Sequence, residues 1–173
     1  MPKRPARKVQ KVAAAITIKP LAPSDYDGLV ALWKASGLTY RPRGRDSRGA
    51  IAGQLKQPTA IFLKAVVAEG SGSRQPGAGT RGQTSKMVGA VLGTHDGRRG
   101  WINRLAVLPG YQKKGIGGAL LDELERRLDR LGLLLVAVQV DRGNRRSLRF
   151  FKGLGYRLHD DIHYLSKRKG DWA

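Results

Sequence analysis

Residues 101–140 constrain the fold of this chain more tightly than any other stretch. WINRLAVL at 101–108 has the pattern of a strand, and 133–140 is an apolar stretch that reads as a central strand. Between them lie the loop PGYQKK, the glycines Gly115, Gly117 and Gly118, and a long amphipathic segment. In that segment Leu120, Leu121, Leu124, Leu128 and Leu131 recur at helical spacing, while Asp122, Glu123, Arg126 and Arg127 take the other face. The spacing predicts a helix with Asp122–Arg126 and Glu123–Arg127 ion pairs, ended by Gly132. The product is a β-α-β unit with a glycine- and lysine-rich turn at the start of its helix.

That turn has a chemical consequence. The first amides of a helix have no intrahelical acceptor, and the helix dipole favours negative charge beside them. Glycine lets a ligand approach the main chain, and Lys113 and Lys114 add formal charge. The turn is therefore an anion site suited to phosphate.

The rest of the chain divides around this unit. Residues 1–15 carry five basic residues, two prolines and no acid, and read as a solvated, disordered basic arm. Residues 16–21 alternate as a first strand. Ser24 is the expected N-cap of a helix to about Ser36, stopped by Gly37. An arginine-rich loop and a short helix through Leu55 follow. Strands are predicted at 61–69, 87–94 and 101–108, and the Gly/Ser-rich stretch 70–85 reads as a flexible insert. Asp96-Gly97 marks a tight turn. A short helix is expected over 144–152, closed at Gly153 or Gly155, then a hairpin from 156–158 and 162–166. Residues 16–168 thus form one domain, with 169–173 as a tail.

Composition narrows the chemistry. With no cysteine there is no disulfide, thiolate metal site or cysteine nucleophile, and three scattered histidines lack metal-ligand spacing, so no metal is expected. No apolar run approaches the ~18 residues of a membrane span, which predicts a cytoplasmic protein with no membrane partner. The 33 Lys+Arg against 13 Asp+Glu give a formal net charge of +20, which favours non-specific polyanion binding.

Three readings compete for the glycine turn. A dinucleotide site would use Gly115-x-Gly117 with Asp141 on the ribose, but Leu120 replaces the third small residue and the six-residue loop 109–114 is too long for that turn. A purely structural strand-to-helix junction is the second. The third rests on a wider pattern. Val107-x-Pro109, Gln112-x-x-Gly115-x-Gly117 and Asn144-x-x-Ser147-x-x-Phe150-Phe151-x-x-x-Gly155-Tyr156 occur in order. Together they resemble the GNAT superfamily of acyl-CoA-dependent N-acetyltransferases over about 16–168, most sharply over 101–156.

The resemblance implies an α/β fold. Its mixed, mostly antiparallel sheet of six to seven strands is splayed between strands four and five and flanked by about four helices. It implies acetyl-CoA as co-substrate, with the pantetheine along Leu105, Ala106 and Val107. The pyrophosphate would lie on Gln112, Lys113, Lys114, Gly115, Ile116, Gly117 and Gly118, with Asn144 near the arm and Phe151 near the thiol. The Val107 N–H is the implied oxyanion donor. Two departures stand out: Phe151 occupies a position where many members have a proton-donating tyrosine, and the 101–108 strand has no carboxylate. Strand alternation puts Trp101, Asn103, Leu105 and Val107 on one face, with Ile102, Arg104 and Ala106 on the other. Asn103 could then hold a water, and Asp96, His95, Tyr40 or Tyr111 could act as base.

In this family the first helix pair and its loop, here 38–55, set the acceptor. Tyr40, Arg41, Arg43, Arg45 and Arg48 stand there against one acid, Asp46, which suits an acceptor amine carrying a carboxylate or phosphate. The expected activity is acetyl transfer to a primary amine of a small-molecule or peptidic acceptor by direct attack in a ternary complex, in a monomer or homodimer. Alternatives are an acyl-CoA-binding domain with little catalysis, or an acetyltransferase tethered to ribosomes or nucleic acid by its charge.

Overall fold

The structure, a computed structural model, describes residues 16–68, 85–167 and 170. The expected arm 1–15 lies outside them. So do the insert 70–85, apart from Ser85, and the tail 169–173, apart from Gly170. Five strands run β1 (Ile16–Pro20), β2 (Ala60–Ala68), β3 (Ser85–His95), β4 (Gly100–Val107) and β5 (Val136–Val138), and form one sheet in that spatial order. Helices α1 (Tyr26–Ala35) and α2 (Arg48–Leu55) precede β2, α3 (Ile116–Arg130) joins β4 to β5, and α4 (Arg145–Gly153) follows. The first four strands pair antiparallel, and β5 joins β4 in parallel. Among the described residues no helix is long and apolar enough to cross a membrane.

The sheet separates two cores. On one face Leu29, Leu32 and Trp33 of α1 and Ile51 of α2 pack on Phe62, Ala90, Leu92 and Ala106. On the other, α3 sets its leucine stripe and α4 sets Phe151 against Leu63, Val91 and Ile102. The approach of α3 is governed by glycines. A Cβ on Gly89 would lie 3.1 Å from Leu120, one on Gly93 would lie 2.6 Å from Leu124, and one on Gly100 would overlap Leu128. Three leucines one turn apart thus occupy three vacancies in β3 and β4. Each is fully buried, a burial that contributes about 1.5–3 kcal/mol per side chain.

Local chemistry explains most boundaries. Ser24 is not an N-cap: it sits within a 3-10 turn, Pro23–Asp25, and Asp25 holds the helix start instead. The Asp25 carboxylate accepts from the Ala22 amide at 2.7 Å and from Lys64 of β2 at 2.6 Å. Ser47 caps α2 by accepting from the Ala50 amide. Gly37, Gly132 and Gly155 take positive φ two residues past the last residues of α1, α3 and α4, so α4 ends at Gly153 with Gly155 turning the chain away. Glu123 accepts from both Arg126 and Arg127.

Two expectations about the last strands are corrected. Five strands are present among the described residues rather than six or seven, because 156–158 and 162–166 form no hairpin. Leu158, Ile162, Tyr164 and Leu165 there are all exposed. The apolar stretch 133–140 supplies only a three-residue strand, and at the edge of the sheet rather than its centre. Leu134 and Leu135 are exposed in consequence.

The glycine vacancies give a direct test. Gly93→Ala forces a methyl group into the Leu124 side chain, an overpacking expected to cost about 1–3 kcal/mol. A Tm drop of roughly 3–10 °C in thermal denaturation is the expected readout. An unchanged Tm would mean that α3 is not held at this distance.

Candidate active site

The site is built around β4, and one irregularity controls that strand. Pairing with β3 runs Gly89↔Val107 to Leu92↔Arg104, then resumes at Gly93↔Ile102, so Asn103 is an extra, bulged residue. The bulge overturns the simple alternation expected for this strand. Ile102 packs in the α3-side core and Ala106 in the α1-side core, although four residues separate them. Arg104 lies on the α1 side with Ala106, while Leu105 and Val107 pack toward α3 with Ile102. Asn103 donates its side-chain amide to Thr94 at 2.9 Å.

The other edge of β4 matters for backbone chemistry. Its parallel pairing with β5 covers only Gly100 to Ile102. Leu108 donates its amide to Val88 of β3, and Val107 directs its carbonyl elsewhere, accepting from Gln112 Nε2 at 2.8 Å and Ser36 Oγ at 3.2 Å. Backbone groups alternate sides along a strand, so the Val107 N–H also faces away from β3, into the opening past β5.

At that end of β4 a 3-10 turn, Pro109–Tyr111, leads into the glycine turn. Lys113 takes φ 59° and Gly115 takes φ 81°, the former alone in a left-handed conformation among the described non-glycine residues. Gly115 is the N-cap of α3 with no side-chain cap, so the amides of Ile116, Gly117 and Gly118 retain their anion-binding capacity. Packing explains some of the glycines here. A Cβ on Gly117 would press within 3.2 Å of Phe150, whereas at Gly110 and Gly118 it would meet nothing within 4 Å. Lys113 and Lys114 are exposed, and Ile116 puts its side chain into the core while its amide stays in the first turn.

A cleft of about 510 Å³ opens beside this turn, lined by Pro109, Gln112, Lys113, Arg146 and Arg149. Arg146 donates to Gln112 Oε1, linking α4 to the turn. No sequence motif singles out these two arginines. Their three-residue spacing from the first turn of α4, which puts them on one helix face, was the available signal. Asn144 is the N-cap of α4, its Oδ1 accepting from the Ser147 amide at 3.0 Å.

Phe151, which the resemblance sets near the cofactor's thiol, lies on α4. Its ring is buried in the α3-side core, edge-on to Phe150 and Tyr156 at 5.3 and 5.2 Å. Asp96 is exposed and committed to its turn. Its carboxylate accepts from the amides of Arg99 and Arg98 and from Trp101 Nε1. The Arg99 amide first, then the Arg98 amide, pull it down to about 2. His95 ends β3 with its Nδ1 buried and without a hydrogen-bond partner.

Across the sheet the 38–47 loop has a buried acid at its centre. Asp46 is 3% exposed and accepts from Arg104 Nη2 at 2.6 Å and from the Arg41 amide at 2.8 Å. Tyr40 leans on Trp33 at 6.4 Å and Arg43 is exposed. The glycine turn thus leads from β4 into α3 on one face of the sheet, while Asp46 of this loop meets Arg104 of β4 on the α1 face.

Comparisons with known proteins agree with this geometry. Residues 69–156 match the model of the Acetyltransferase (GNAT) family. Acetyltransferase SG1711 of Sodalis glossinidius (strain morsitans) is 28% identical over 144 residues, spanning 83% of this chain and 89% of its own length. The PaiA N-acetyltransferase of Thermoplasma acidophilum, solved with coenzyme A, superposes with TM-score 0.67 at 20% identity, covering 84% of this chain and 92% of its own. An aminoglycoside antibiotic 6'-N-acetyltransferase of Acinetobacter baumannii gives 0.66 at 16%, covering 90% and 100%. With over half the chain matched by the family model and the fold shared, the protein belongs to the GNAT family of acetyltransferases.

Proposed function

We propose that this enzyme transfers the acetyl group of acetyl-CoA to a primary amine of a small or peptidic acceptor bearing a carboxylate or phosphate. The observation that carries the reading is the β4 edge at Leu105, Ala106 and Val107, unpaired with β5 and running into the anion-binding turn. Acetyl-CoA supplies the activated thioester. The Gln112-to-Gly118 turn holds its pyrophosphate through backbone amides, and Arg146 and Arg149 add charge at the cleft mouth. Gln112 braces the Val107 carbonyl, which keeps the Val107 N–H aimed at the opening as the oxyanion donor.

Direct attack needs a neutral amine, whose ammonium form has a pKa of roughly 8–10. Asp96 is a poor base at about 2. Asn103, beside Thr94 on the acceptor side, is suited to hold a water that carries the proton off. Phe151, apolar and in the core, donates no proton, so the departing thiolate takes one from solvent. Much of the rate then comes from alignment of amine and thioester.

The acceptor side is cationic. The loop holds one acid, Asp46, already paired with Arg104, against the three cations Arg41, Arg43 and Arg45, so its net charge is positive. Ethanolamine and O-phosphoethanolamine, identical at the amine, test this. Thiol release from acetyl-CoA is expected to run with at least tenfold higher kcat/KM on the phosphorylated probe, and equal rates would remove the anionic-acceptor reading.

Two further outcomes follow from the site. Arg146→Ala/Arg149→Ala should weaken CoA binding by about tenfold or more in calorimetry, and should flatten its salt dependence because fewer cations meet the phosphates. Asp96→Asn tests the turn. A carboxyl held at about 2 when folded and near 3.9 when unfolded stabilises the fold above pH ~4 and loses that effect as pH falls through ~2. The gap in urea stability between wild type and variant should be full at pH 5 and close between pH ~4 and ~2. A gap of constant size would contradict the turn assignment.

A further inference from the structure

Arg104 leaves β4 immediately after the bulged Asn103 and crosses to the 38–47 loop. Its Nη1 donates to the Thr39 carbonyl at 2.8 Å and its Nη2 to Asp46 at 2.6 Å, and its guanidinium lies 4.7 Å over the Trp33 ring. The side chains of Arg104 and Asp46 are only 11% and 4% exposed. Asp46 gathers the rest of the loop. It accepts the Arg41 amide, and its own carbonyl accepts the Tyr26 hydroxyl at 2.9 Å. Burial lowers the proton affinity of Arg104 from its ordinary value, and the Asp46 charge works against that loss.

One side chain thus ties both ends of the loop to the strand whose next three residues form the donor edge. It also cancels the single negative charge among residues 38–55, where Arg41, Arg43, Arg45 and Arg48 are the cations. Arg48 is engaged with Asp27 and Tyr26, and Arg45 stands 4.0 Å from Asp46. With Asp46 compensated from β4, the loop arginines keep their positive field toward solvent.

We propose that Arg104 is a positioning and specificity residue. Through Asp46 and Thr39 it holds the 38–47 loop against β4, and by neutralising Asp46 it makes that loop select anionic acceptors. The inference rests on the reading that this loop receives the acceptor. Its structural half, the clamp, does not.

Four variants separate charge from geometry, read by the kcat/KM ratio of O-phosphoethanolamine to ethanolamine, amide hydrogen exchange of residues 39–47, and calorimetric CoA binding. Arg104→Met leaves Asp46 with only the longer Arg45 contact at 4.0 Å, so the ratio should fall about tenfold and loop exchange should accelerate at least tenfold. Arg104→Met with Asp46→Asn restores the charge balance and should return the ratio to within about twofold of wild type, although the loop still exchanges fast. Arg104→Lys keeps the charge and loses the fork, so it should keep the ratio while exchange rises. Asp46→Asn should raise the ratio or leave it high. CoA affinity should stay within twofold throughout, which reports intact folding on the donor side.

A ratio unmoved by Arg104→Met, or not recovered in the double variant, would overturn the specificity role. Unchanged exchange in Arg104→Met and Arg104→Lys would overturn the clamp. If the wild type does not favour the phosphorylated probe, the acceptor reading fails, and the exchange arm still judges the clamp alone.

Discussion

The seating of three leucines in three glycine vacancies sets the geometry on which the site depends. Leu120, Leu124 and Leu128 repeat at one-turn intervals, and Gly89, Gly93 and Gly100 leave matching gaps on β3 and β4. Contacts of this kind are steep, because interiors are packed to crystal-like density and a single methyl group is felt. They fix both the height and the direction of α3. Its N-terminus then follows the end of β4, where Gln112 Nε2 donates to the Val107 carbonyl and the first amides of α3 have no side-chain cap. The start of α3 and the end of β4 are adjacent because a helix is pressed close to a sheet.

The bulge at Asn103 divides labour along β4. Ahead of it, Gly100 and Ile102 serve the α3-side core. Beyond it, Arg104 and Ala106 serve the α1 side, and Leu105 and Val107 turn toward α3. A regular strand would have put Arg104 in the same core as Ile102, where an unpaired guanidinium carries a large desolvation cost. With the bulge it finds Asp46, Thr39 and the Trp33 ring.

What was legible in the sequence were features with local causes. The leucine period of α3, the short helix after Asn144 and the glycine stops at Gly37 and Gly132 all depend on residues a few positions apart, and all stand in the structure. The glycine turn that opens α3 was legible for the same reason. Features with distant causes were not. The bulge depends on β3 pairing, which no pattern within β4 announces. The apolar stretch before Val140 reads as a strand covered on both sides, yet its neighbours place it at an edge. Ser24 had the right chemistry for a cap, but Lys64, forty residues on, gave Asp25 that position. Phe151 matched a motif position, and only packing shows its ring facing the core.

The bulge also gives this strand an unusual relation to changes in chain length. In a regular strand, a one-residue insertion or deletion moves a whole set of side chains from core to solvent and is ruinous. Here an extra residue is already accommodated, and Asn103 is the hinge of parity between a packing half and a working half of β4. Loss of that one position would leave Gly93↔Ile102 and Leu92↔Arg104 as consecutive regular pairs, with Arg104 still on the α1 face. The strand can therefore shorten by one residue at this point and keep both faces in register, a tolerance of length that its regular stretches lack.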